Sequence, residues 1–163
     1  MRASRDVADA AASPTQVEAV DCEFSHNRVV NATHAAGGAL HLTNSTVRLR
    51  GCQLRNNTAA GRSAQGGAVF ASGVGALSLD GCTLEGNRAL GTAAAGGGED
   101  SSGGAGGAVY ATGSVAVGFA ETVVADSHAA GGGGGALVLA GQASCFLSRC
   151  EWRNNTVQVS CGA

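Results

Sequence analysis

A chain of 163 residues, 44% hydrophobic and with a formal charge of -2, is long enough for one ordinary domain and too apolar and too evenly charged for a disordered tail. Its ten basic residues are all arginine and form no run, which excludes lysine-dependent chemistry and leaves no electrostatic footprint for nucleic acid. Aromatic residues make up only 4%, against 27 glycines, so the interior must be thin and built largely from Ala, Val and Leu.

Residues 1–16 read as a disordered lead-in. They contain no apolar core of a signal peptide, and no stretch of the chain reaches the roughly 18 apolar residues that a membrane helix needs. From residue 17 to 160 the chain repeats itself in units of about 28 to 30 residues. One mark of the unit is Cys22-x-Phe24-x-x-Asn27, which returns as Cys52-x-Leu54-x-x-Asn57, Cys82-x-Leu84-x-x-Asn87 and Cys150-x-Trp152-x-x-Asn155, with Thr122-x-Val124-x-x-Ser127 filling the same slot. The other is GGA followed by an aliphatic residue, starting at Gly37, Gly66, Gly106 and Gly134. From GGA to the next Cys or Thr the distance is 15, 16, 16 and 16 residues, whereas from Asn or Ser to the next GGA it is 10, 9, 19 and 7. The variable part reads as an open loop, and residues 88–105 as a Gly-rich surface insertion.

Within the constant arc the apolar residues alternate, as in Val17 and Ala19, Val47 and Leu49, Leu77 and Leu79, Val117 and Phe119, Cys145 and Leu147. That is a strand period. A single unit cannot bury its apolar face alone, so the units must stack. The predicted fold is all-β, a right-handed parallel β-helix of about five coils with three short strands each. Like residues then superpose every ~4.8 Å. Cys22, Cys52, Cys82 and Cys150 become one inward column, read first as stacked free thiols, with a link from Cys145 or Cys150 to Cys161 left open. Asn27, Asn57, Asn87 and Asn155 become an amide ladder at a left-handed corner. The last residues stop short of another GGA, which reads as a piece of a longer solenoid whose further coils would be partners of these.

The GGAL and GGAV motifs, together with FSHN at Phe24 to Asn27, resemble the GGA[ILV] and FxxN repeats of the chlamydial polymorphic outer-membrane protein family, within the pectin-lyase-like β-helix group. Leu54, Leu84, Val124 and Trp152 depart from its Phe and Ser127 from its Asn, and its translocator barrel has no counterpart here. The resemblance implies a surface-exposed adhesin-like module.

Candidate chemistry is sparse. No Cys or His spacing suits a metal, and no cofactor motif occurs. Enzymes on β-helices need clustered carboxylates, but Asp80 faces Arg50 and Glu85 lies between Arg55 and Ala125, the pattern of cross-rung ion pairs. Glu99 and Asp100 lie in the Gly-rich stretch without calcium-repeat spacing. The remaining binding candidate is an outward column of His41, Phe70 and Tyr110, continued by Val138, suited to a sugar ring or a protein surface, unless residues 88–105 fold over it. Four N-x-S/T acceptor patterns, at Asn31, Asn44, Asn56 and Asn154, are glycosylation candidates and favour an extracellular or cell-surface location in a eukaryotic source. The reading is a non-enzymatic module for adhesion or glycan and matrix interaction, with carbohydrate or a surface protein as partner. The alternative is a polysaccharide lyase or hydrolase, or its inactive relic.

Overall fold

The computed structural model describes residues 15–92, 103–131 and 133–158. Among these there is no helix, and therefore none long and apolar enough to cross a membrane. Twenty strands form four parallel sheets. The first stacks Thr15–Val20, Ser45–Arg50, Val74–Asp80, Ser114–Ala120 and Ser144–Ser148; the second stacks Glu23–Ser25, Gln53–Arg55, Thr83–Glu85, Val123–Ala125 and Glu151–Arg153. The third holds Arg28–Ala36, Thr58–Gln65, Arg88–Gly91 with Gly104–Ala105, His128–Ala130 and Thr156–Gln158; the fourth holds Leu40–Thr43, Val69–Ser72, Val109–Ala111 and Leu137–Leu139. The chain visits the sheets in this order and then begins again one rung further on. The result is an all-β parallel solenoid of about four turns, consistent with right-handed winding.

The register is the one the repeat predicts. Val17, Val47, Leu77, Val117 and Cys145 are mutual partners, as are Ala19, Leu49, Leu79, Phe119 and Leu147. Each turn nevertheless carries four strands, because the variable stretch read as an open loop is itself the third sheet. Its length variation is absorbed without breaking the stack. Pairing shifts register between Val29 and Ala32, and Arg88–Gly91 and Gly104–Ala105 pair with opposite ends of Thr58–Gln65. The intervening part of the expected insertion, with Glu99 and Asp100, lies outside the described residues, as do Cys161 and residues 1–14 of the lead-in. Thr15 and Gln16 already pair with Ser45 and Thr46.

Four sheets in one turn require four corners, and each corner is a column of left-handed residues. Between the first and second sheets they are Asp21, Gly51, Gly81, Glu121 and Arg149; between the second and third, His26, Asn56, Gly86, Asp126 and Asn154. Gly37, Gly66, Gly106 and Gly134 turn the third corner, and Asn44, Gly73, Gly113 and Gly141 the fourth. The left-handed residue of the second corner thus precedes the ladder asparagine instead of being it. The two glycines of GGA also have different tasks. The first has φ of 65°, 65°, 66° and 58° in successive turns, a conformation cheap only for Gly. The second, at Gly38, Gly67, Gly107 and Gly135, lies against backbone: a Cβ on Gly67 would overlap the carbonyl oxygen of Gly107 and the amide of Arg88.

The interior divides in two. Val47, Leu49, Leu54, Val69, Leu77, Leu79, Leu84, Val109, Val117, Phe119 and Val124 fill the main core, while Ala35, Ala59, Ala64 and Ala89 form a small alanine cluster inside the third sheet. The second space is lined by alanine methyls, with Val29 and Ala32 packed against them.

Candidate functional site

The outward face of the fourth sheet brings together the residues singled out in the sequence. His41 pairs with Phe70, Phe70 with Tyr110 and Tyr110 with Val138. Their side chains point away from the core because the alternate positions, Val69 and Ala71 or Val109 and Ala111, are buried. The His41 and Phe70 rings meet edge-on with centroids 4.8 Å apart, and Phe70 and Tyr110 stack at 5.7 Å with planes 9° apart. Both distances suit aromatic attraction. His41 is exposed and the other two rings are half-buried against each other.

A second column accompanies the rings. Two residues beyond each lie Thr43 and Ser72, on the same face of the same strands, and Thr112, just past the end of Val109–Ala111, where its N–H donates to Ala71 O at 2.9 Å. Thr43 Oγ1 and Ser72 Oγ are 3.3 Å apart. The sequence carried this column in the same period of two, but small hydroxyl residues raise no hydrophobic signal and it was missed. Rings beside hydroxyls give one face that offers both an apolar platform and hydrogen-bond donors and acceptors.

The ladder residues are placed to hold the scaffold. Asn27 Nδ2 donates to Asn57 Oδ1 at 3.0 Å, and Asn57 Nδ2 to Asn87 Oδ1 at 3.1 Å. Each of these acceptors also takes the backbone N–H of the asparagine one rung before it. Ser127 breaks the run, and Asn155 resumes it by accepting from Ser127 N at 3.0 Å. In the neighbouring column Cys82 Sγ donates to Leu49 O and Asp80 O, each at 3.4 Å. Thr122 Oγ1 makes the equivalent bonds to Leu79 O at 3.2 Å and Ala120 O at 2.8 Å. A hydroxyl replaces a thiol here because both satisfy the same carbonyls. Cys22, Cys52, Cys82, Cys145 and Cys150 are free thiols. Burial pushes the Cys82 and Cys145 thiols above their ordinary value, and for Cys145 the neighbouring Cys150 adds to the effect.

The carboxylates do not converge. Asp80 stands beside Arg50 in register, yet Arg50 turns to Glu18 instead, at 3.0 Å. Glu85 sits 3.5 Å from Arg55 as its position predicts, and Glu121 pairs with Arg149 at 2.7 Å. Among the described residues no two carboxylates occupy neighbouring rungs of one column, and no three metal-ligating side chains gather in one place. The four acceptor asparagines behave alike: Asn31, Asn44, Asn56 and Asn154 are all exposed, with φ of 60°, 50°, 53° and 51°. Their ladder neighbours Asn57 and Asn155 instead use their amides inside the stack.

Compared with known proteins, the chain matches no family model, no curated protein and no solved structure.

Proposed function

We propose that this solenoid is a non-enzymatic binding module, an adhesin-like or matrix-contacting unit that presents the fourth sheet to carbohydrate. The observation that carries the reading is the His41, Phe70 and Tyr110 column running beside Thr43, Ser72 and Thr112. A pyranose ring packs its C–H face on the outer edges of this stacked apolar ridge, and its hydroxyls reach the flanking Ser and Thr side chains. The rigid rung spacing fixes the ridge in advance, so little side-chain entropy is lost on binding. The resemblance of the GGAL and GGAV motifs and of FSHN to the GGA[ILV] and FxxN repeats of the polymorphic outer-membrane protein family supports the same reading. Exposure of all four acceptor asparagines, three on corners and Asn31 at the irregularity within Arg28–Ala36, supports an extracellular or cell-surface glycoprotein. A lyase or hydrolase on this scaffold would need two converging carboxylates, and the scattered ion pairs favour the binding reading over it.

A glycan array probed with the purified chain, beside Phe70→Ala and Tyr110→Ala, tests the reading. Binding to a neutral glycan that falls at least about tenfold in each variant is expected, since a lost sugar-packing ridge is worth on the order of 1 to 2 kcal/mol. Turnover of pectin or alginate that disappears in Asp80→Ala would replace it with the enzymatic alternative.

A further inference from the structure

The third sheet carries a different surface, where guanidinium groups gather. Arg28, Thr58, Arg88, His128 and Thr156 are consecutive rungs of one column. They point outward because the following position turns in: Ala59, Ala89 and Ala129 are fully buried. Arg28 and Arg88 therefore stand two rungs apart, ~9.6 Å along the axis. Arg28, Arg62, Asn31 and Thr92 line a groove of about 660 Å³ together with Val30 and Leu90. A hollow of about 300 Å³ is lined by both Arg28 and Arg88, with His26, Asn56 and Thr58. Arg28, Arg62 and Arg88 are exposed, and among the described residues none is in an ion pair, whereas Arg50, Arg55, Arg149 and Arg153 each hold a carboxylate. Asp126 lines a hollow with Arg88 without bridging to it.

We propose that this groove binds a linear anionic glycan lying along the solenoid axis, its sulfate or carboxylate groups taken by Arg28, Arg62 and Arg88. The guanidinium fork matches both oxyanions in bidentate fashion. The separation of Arg28 and Arg88 is close to the length of one disaccharide, so a chain with one charge per disaccharide meets both. Thr58 lies between them, and Asn56 lines the hollow they share; both are placed for the intervening sugar hydroxyls. Nucleic acid fits less well. The groove offers no phenyl, phenol or indole ring for a base to stack on.

The site is separate from the aromatic face, and its test is independent of it. The chain, produced without N-glycosylation because Asn31 lines the groove and Asn56 the hollow, is titrated at low and physiological salt against chondroitin sulfate, hyaluronan, neutral dextran and oligothymidylate. Binding of chondroitin sulfate alone assigns sulfate as the recognised group; equal binding of hyaluronan assigns carboxylate. Either supports the proposal if affinity falls with salt, Arg28→Ala and Arg88→Ala each weaken it about tenfold or more, and Arg48→Ala on the first sheet leaves it unchanged. Circular dichroism of the exposed-arginine variants should match that of the parent. Binding of neither anionic glycan, equal weakening by Arg48→Ala, or tighter binding of oligothymidylate would overturn it.

Discussion

Asn87 shows what one residue does in a stacked fold. Its side chain is wholly buried; Oδ1 accepts from both the backbone and the side chain of Asn57, and Nδ2 donates to Leu54 O at 2.8 Å. Replacing it with Ala would strand several buried polar groups at once, and Asn87→Ala is expected to lower unfolding stability by about 3 kcal/mol in urea titration. Ser127 is the complementary case, a short side chain in a column otherwise built of amides. Ser127→Asn should extend the ladder and raise stability by about 1 kcal/mol; a loss would mean that the column has no room for the amide. The buried thiol of Cys82 gives a pH signature. Its pKa is raised in the fold from an ordinary 9.0, first by desolvation. The folded state thus holds the proton more tightly than the unfolded chain does. Stability is full below pH 9 and falls as pH rises above it, and Cys82→Thr, copying Thr122, should flatten that alkaline decline in a pH series of melts.

The strands and corners were legible in the sequence to different degrees. The first, second and fourth sheets follow from residues such as Val47 and Leu49 or Val69 and Ala71, whose alternation appears in every turn. The third sheet was not legible, because TAAGRSAQ at Thr58–Gln65 offers small and polar residues where a strand usually announces itself with branched or aromatic ones. Small residues recur there for a reason found only in three dimensions: their methyl groups form the buried alanine cluster inside the sheet. The arginine column was hidden likewise, since Arg28 and Arg88 are two turns apart in the chain. Left-handed corners were recognised at Gly but placed one residue late at Asn, whose ladder role, as at Asn57, leaves the turn to Asn56 before it. The second glycine of GGA gives the sharpest test at this scale. Gly67→Ala introduces a Cβ against the backbone of the next rung and of the opposite strand, neither of which can yield as a side chain would. A loss on the order of 4 kcal/mol is expected, enough to prevent accumulation of folded protein.

Across the whole molecule, one arrangement supplies both the stability and the surfaces. Because every unit returns to the same place one rung along, an inward position becomes a column of core residues and an outward one a stripe of repeated chemistry, whether aromatic, hydroxylic or cationic. Burial is deepest in the middle turns, where Leu54, Leu79 and Leu84 are fully enclosed, and lessens at the ends, where the inward-column residues Val17 and Leu147 are 50% and 51% exposed. Stability should therefore be graded along the axis, with amides of the central rungs exchanging most slowly with solvent. The register itself is open to direct measurement by nuclear Overhauser contacts between backbone protons. Leu79 should show cross-strand contacts to Leu49 on one side and Phe119 on the other. Contacts from Leu79 confined to its own unit, or to residues one step out of register with these two, would contradict the account.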